Sequence, residues 1–227
     1  MKSDLNETMF IEYLATKLGR PTPTSSPPLP IVHLPEFTLT TPEARISTFL
    51  TNWEALGGKG AQVNSPGDAA QQLQTWLGAD DHSLANQLAV IGWYDLPGFA
   101  SATLKNLGWQ MTAYSKTLNL SMIAEHTRLG ITGADWGIAQ SGTIVTVEGQ
   151  NRGRIVSLLP PKHLTFLPIT SLRDNLGQVM AELFFSGSSA AIEFITGPSR
   201  SADIEMDLSI GVHGPKEVFA LLYPGDK

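Results

Sequence analysis

Cysteine is absent from the 227 residues. Without thiolates the chain cannot hold an iron–sulfur cluster or a four-thiolate zinc, and it forms no disulfide. Charge is also sparse. Charged residues make up 16% of the chain, against roughly 25% in an average globular protein. What charge there is leans acidic, with 15 Lys plus Arg against 21 Asp plus Glu and a net of −6. That balance does not suit a nucleic-acid binder, which needs a basic face to track phosphates. Long apolar runs are missing too. The longest, residues 88–91 and 219–223, fall far short of the about 20 residues that span a bilayer. The first residues lack the basic start and apolar stretch of a signal peptide, so a cytoplasmic protein with no membrane span is expected. Low charge with 42% hydrophobic residues argues against disorder and for one large core.

The chain does have many breakers, 21 Gly and 15 Pro. Residues 4–18 read as an amphipathic helix with Phe10, Leu14 and Leu18 on one stripe. The stripe should pack on the main domain or on a second copy of the chain, which would make a homo-oligomer. Pro21, Pro23, Pro27, Pro28, Pro30 and Pro35 follow. They read as an extended strap over the surface, or as a ligand for a partner's aromatic groove. The boundary of this arm is set at 1–40, ahead of a domain at 41–227.

Beyond it, helix-like and strand-like segments alternate. Ser65-Pro66-Gly67-Asp68 marks a helix start, and Ala69, Leu73, Trp76 and Leu77 mark its apolar face. Residues 88–93, 136–139, 143–147, 164–167, 190–196 and 218–223 read as strands. Ser171-Leu172-Arg173-Asp174 is a second capping signature, before a helix expected to bury Leu176, Val179, Met180 and Leu183. This alternation argues for an α/β layer fold with a largely parallel sheet and no second core.

Unusual loops concentrate in the carboxy-terminal half: residues 130–135, 140–143, 160–163, 197–203 and 211–215. Glycines let backbone approach a ligand, and N–H groups and hydroxyls can coordinate an anion. Ser199, Arg200 and Ser201 are donors for a phosphate or carboxylate; alternatively Ser201 caps a short helix while Arg200 pairs with Asp203 or Glu205. His213, between glycines, is a general acid–base candidate or a structural donor, and His163 beside Lys162 has the same two readings. No histidine pair has metal-ligand spacing, and neither a Gly-x-Ser-x-Gly nor a Walker lysine loop is present. No metal is expected.

Ala139-Gln140-Ser141-Gly142-Thr143, Leu159-Pro160, Gly197-Pro198-Ser199-Arg200-Ser201-Ala202-Asp203-Ile204-Glu205 and Gly211-Val212-His213-Gly214-Pro215 together resemble the LUD domain family, as found in lactate utilization protein C. The resemblance covers about residues 85 to 223. It implies a three-layer α/β/α sandwich of the type shared by glucosamine-6-phosphate deaminase, ribose-5-phosphate isomerase and coenzyme A transferases. It implies a non-redox accessory subunit in the oxidation of L-lactate to pyruvate, partnered by A- and B-type subunits that carry the iron–sulfur clusters. No cofactor is then expected on this chain. The residues themselves point to a small anionic ligand on Gln140, Ser141, Gly142, Thr143, Gly197, Ser199, Arg200, Ser201, Asp203, His213 and Gly214, with Ser141, Ser199, Arg200 and His213 expected to converge on it. The family usually has Glu where this chain has Gln140, and Gln cannot act as a carboxylate base or nucleophile. By analogy of fold alone, a stand-alone enzyme or binding protein for a sugar phosphate or acyl-CoA-like ligand is the alternative, and an interaction module with a vestigial pocket is a third.

Overall fold

Every strand of the main sheet runs in the same direction. The computed structural model describes residues 2–20, 37–77, 89–93, 95–118, 127–186, 191–202, 208–210 and 214–225. It pairs β1 (Lys59–Gln62), β12 (Glu217–Tyr223), β7 (Lys162–Pro168), β4 (Thr127–Gly133), β2 (Ala89–Gly92) and β3 (Gln110–Ala113) in that spatial order, all parallel. Parallel strands are covered on both faces and therefore read as unbroken apolar runs. Val218 to Leu222 is such a run, and every member is buried.

Alternate side chains point to opposite layers. Leu129, Ile131, Leu164, Phe166, Phe219 and Leu221 pack with Ala69, Leu73 and Leu77 of α3 (Pro66–Leu77) and with Ala100 and Leu104 of α4 (Gly98–Asn106). On the other face Leu167, Val218, Ala220 and Leu222 meet Ile46, Phe49 and Trp53 of α2 (Pro42–Ala55). On that same face Val156 of the short α5 (Ile155–Leu158) covers Ile91 and Trp93. The result is the expected α/β/α sandwich. Helix starts follow local chemistry: Thr41 Oγ1 accepts the Ala44 N–H, and Ser65 Oγ accepts the Asp68 N–H.

A second sheet departs from the single-core expectation. It orders β8 (Leu172–Arg173), β5 (Trp136–Ile138), β6 (Thr143–Val147) and β9 (Ile192–Ile195), with β5–β6 and β6–β9 antiparallel. Ile138 and Val145 pack there against Val179 and Leu183 of α6 (Leu176–Ser186), forming a separate small core. Leu176 and Met180, expected inside, are exposed. The cap also moves. Strand β8 takes Leu172 and Arg173, so Asn175 rather than Ser171 caps α6, its Oδ1 accepting the Gln178 N–H at 3.1 Å. Arg200–Ala202 is strand β10, paired antiparallel with β11 (Leu208–Ile210), where a loop or a short helix start was expected.

The chain divides into two compact units, 1–36 and 37–227. In the first, α1 (Lys2–Lys17) matches the expected helix, with Phe10, Leu14 and Leu18 exposed in this single chain. The proline-rich strap lies outside the described residues. No helix described is long and apolar enough to cross a membrane.

Candidate functional site

Two glycines let the chain close on the end of α2. Gly142 follows a 3₁₀ turn (Ala139–Ser141) with φ of 58°, and a Cβ there would sit 2.4 Å from the Trp53 backbone nitrogen. Gly197 has φ of 100°, and its Cβ would sit 2.9 Å from the Leu56 carbonyl oxygen. Both positions therefore require glycine, for conformation and for space. Asn52 Nδ2 donates to the carbonyls of Ala139 and Gln140, while the Gln140 N–H donates to Asp174 O at 2.9 Å. Gln140 and Ser141 remain exposed. Ser141 Oγ and Thr143 Oγ1 lie 2.7 Å apart, and Thr143 Oγ1 reaches Thr196 Oγ1 at 3.0 Å. A line of hydroxyls thus joins the 140–143 turn to the strand that leads into Gly197.

Beside this turn the buried Asp174 carboxylate accepts Arg45 Nε–H at 2.6 Å. Burial pushes its pKa up, but Arg45, the Leu39 N–H and Gln178 outweigh that and hold it below the usual carboxylate range. This ion pair ties the start of α2 to the start of α6.

Ser199 follows two residues beyond Gly197. Its N–H donates to Pro215 O, and Gly214 lies against its side chain. Pro215 lies two residues before β12, and Lys216 N–H donates in turn to Pro161 O just before β7. Ser199 and Gly214 are therefore at the amino-terminal edge of the parallel sheet. Arg200 and Ser201 have their backbones in β10. Asp203 and His213 lie outside the described residues. Contacts thus join the 140–143 turn to residues 196–197 and Ser199 to Gly214, and Gly197 and Ser199 are two residues apart along the chain.

His163 is buried between strands, its Nε2 2.9 Å from Thr132 Oγ1 and 3.3 Å from Thr165 Oγ1. Burial pushes its pKa down to about 3, so it is neutral near pH 7 and serves as a structural partner. Glu193 on β9 accepts hydrogen bonds from Ser157 Oγ at 2.9 Å and Thr146 Oγ1 at 3.3 Å. Burial pushes its carboxyl up against those hydrogen bonds.

A further cluster had only a partial signal in the sequence. Trp93 and Asp95 follow β2, and Asp135 follows β4. Between them lies Arg152, whose Nε and one terminal nitrogen donate to Asp95 Oδ2, the Nε at 2.8 Å. The other terminal nitrogen donates to Asp135 Oδ1 at 2.7 Å. The guanidinium lies 5.0 Å from the Trp93 ring centroid. Burial pulls the Arg152 pKa down, and the two aspartates more than offset it. Asp135 belongs to the flagged 130–135 loop; no motif marks Asp95 or Arg152. Among the described residues, no group of three or more His, Asp or Glu side chains is placed to hold a metal ion.

Comparison with known proteins adds three findings. The model of the LUD domain matches residues 46–223. A protein named Lactate utilization protein C from Shouchella clausii is 30% identical over 225 residues, 92% of this chain and 94% of its own length. Another of that name from Halalkalibacterium halodurans is 46% identical over 97 residues, 40% of this chain and 42% of its own length. One from Bacillus licheniformis is 35% identical over 130 residues, 54% of each chain. Against these last two the match spans about half of the relative's length or less. Among solved structures, a DUF162 family protein from Deinococcus radiodurans superposes with a TM-score of 0.55 at 16% identity, covering 82% of this chain and 99% of that one. At that identity the likeness concerns the fold alone.

Proposed function

This chain belongs to the LUD domain family, and from that premise we propose that it is a non-redox subunit of a cytoplasmic L-lactate-oxidising system. It binds a small anionic ligand and docks to partner proteins that carry the iron–sulfur clusters. The observation that carries this reading is the end-to-end likeness to the Shouchella clausii Lactate utilization protein C, over 92% of this chain. A cysteine count of zero supports the division of labour, because electrons need clusters held elsewhere.

The proposed anion site uses the loops that carry Gln140, Ser141, Gly142, Thr143, Gly197, Ser199, Arg200, Ser201, Asp203, His213 and Gly214. Hydroxyls and backbone N–H groups orient the ligand, and Arg200 supplies the permanent charge. With a net charge of −6, long-range attraction for an anion is weak, so affinity comes from short charge-assisted hydrogen bonds. Gln140 holds its place in the turn through its backbone N–H and C=O. Its side chain carries no charge, so the site binds and orients while electron transfer proceeds on the partners.

Reconstitution tests this. The chain is mixed with cysteine-rich A- and B-type lactate utilization proteins, and pyruvate formation from L-lactate is followed with an artificial electron acceptor. The rate should depend on the presence of this chain. A full rate without it, or a stoichiometric chromophore on the purified chain alone, would refute the proposal.

A further inference from the structure

We propose that the crevice outside the carboxyl ends of β2 and β4 is a second site, a receptor for small monocarboxylates, in which Arg152 binds the ligand and Asp95 occupies its place when the site is empty. The inference rests on local geometry and holds whether or not the chain is a subunit of an oxidising system.

The topology marks the place. From β2 the chain moves to β3 on one side, and β4 then lies on the other side of β2. The loops leaving β2 and β4 therefore diverge, and in open α/β sheets such a switch point is where ligands bind. Here Asp95, Asp135 and Arg152 meet in a chain of ion pairs, with Arg152 over the ring of the buried Trp93.

The two aspartates are not equivalent. Asp135 is fixed at both oxygens: Oδ1 accepts Arg152 and Oδ2 accepts the Val147 N–H at 2.7 Å. Asp95 lies on an exposed stretch, and among the described residues Arg152 is its only side-chain partner. Both arginine donors on that edge converge on a single Asp95 oxygen, Oδ2. A free carboxylate can present two oxygens to the same edge, one to each N–H, which is the geometry guanidinium favours. Exchange of Asp95 for a ligand carboxylate thus improves the hydrogen bonding, while Asp135 keeps the arginine in place.

Charge and shape narrow the ligand. Asp135 stays in the site and a displaced Asp95 stays tethered beside it, so every added negative charge is opposed; a monoanion meets less of this repulsion than a phosphate dianion. Leu96, Tyr114 and Ile155 pack around Trp93 and Val156, giving an apolar wall for a short carbon chain. Arg152 is 29% exposed and Asp95 27%, so solvent and solutes reach the pair.

Isothermal titration of the full chain with propionate, and with inorganic phosphate as the contrasting anion, tests the proposal. Asp95→Asn removes the internal competitor and should tighten propionate binding roughly tenfold, the scale of one lost hydrogen bond to a charged group. Phosphate affinity should not follow. Arg152→Gln, if it folds, should lose propionate binding, and Arg200→Ala should retain it, which separates this site from the loop cluster proposed above. A folded Asp95→Asn variant that binds propionate no better than the unaltered chain overturns the proposal, as does binding that survives Arg152→Gln. Should neither variant fold, the unaltered chain decides: no propionate binding to it overturns the proposal.

Discussion

Replacing Gly142 with alanine isolates the contact on which the 140–143 turn depends. Two costs add. At φ of 58° an alanine pays the left-handed penalty of roughly 1–2 kcal/mol. The new methyl also meets main chain at Trp53 N, Asn52 C and Trp53 Cα, at 2.4, 2.7 and 2.9 Å. Backbone cannot step aside as a flexible side chain does, so the overpacking cost is about 1–3 kcal/mol. Together the loss is about 2–5 kcal/mol. In a domain of this size that lowers Tm by roughly 4–20 °C. Gly108 is the internal control, because its φ is 83° and nothing lies within 4 Å of a Cβ placed there. Gly108→Ala should therefore cost only the conformational part, roughly 1–2 kcal/mol. Calorimetric melts of both variants under one buffer give the difference directly. Equal shifts would refute the packing of the turn against α2, and with it the placement of the hydroxyl line.

Three more outcomes are expected. His163 has a folded pKa of about 3 against an ordinary value of 6.5, so only the unfolded chain takes up its proton between those values. Its contribution is fully present above pH 6.5 and declines as pH falls towards 3; from pH 7 to 5 the unaltered chain should lose about 2 kcal/mol more than His163→Gln in urea titrations. Arg45→Ala leaves the buried Asp174 carboxylate without its guanidinium and should cost about 1.5–3 kcal/mol. Because Asp174 is held below its ordinary pKa, its contribution is present above about pH 4 and lost on further acidification, a loss that should be smaller in the variant when denaturation is followed at pH 4 and pH 3. A chain of residues 37–227 should fold alone, since that segment forms its own compact unit; a broad, non-cooperative melt would contradict this.

The sheet centre was legible because burial on both faces leaves an unbroken apolar run, as in Val218 to Leu222 of β12, and α3 was legible because Ser65, Pro66 and Asp68 spell out a helix start. The edge strand β1, Lys-Gly-Ala-Gln, has neither an apolar run nor alternation. It is held by parallel pairing to β12, which no local signal encodes. Three strands of the second sheet, β5, β6 and β9, were legible, but their grouping into a sheet of their own was not, for a related reason. Its strands are short, and β8 captured two residues that resembled a helix cap until their pairing with β5 was known. Leu176 and Met180 follow the helical spacing of Val179 and Leu183, yet the sheet beneath α6 is too narrow to cover them.

The candidate site divides along the same line. A glycine held at positive φ beside hydroxyl residues is a local signature, so the 140–143 turn could be singled out before its contacts with α2 were seen. Arg152 is the opposite case. Its partners lie 57 and 17 residues away, and the meaning of the group depends on β2 and β4 being neighbours from which the chain departs in opposite directions. Nothing about an arginine in the stretch Gly-Gln-Asn-Arg-Gly-Arg separates it from a solvated surface residue. What distinguishes it from Arg154, two positions on, is the pair of carboxylates brought to it by strand order. One of these is locked at both oxygens and the other, among the described residues, has Arg152 as its one side-chain partner, so the same ion-pair network that fixes the arginine leaves one of its edges open to exchange.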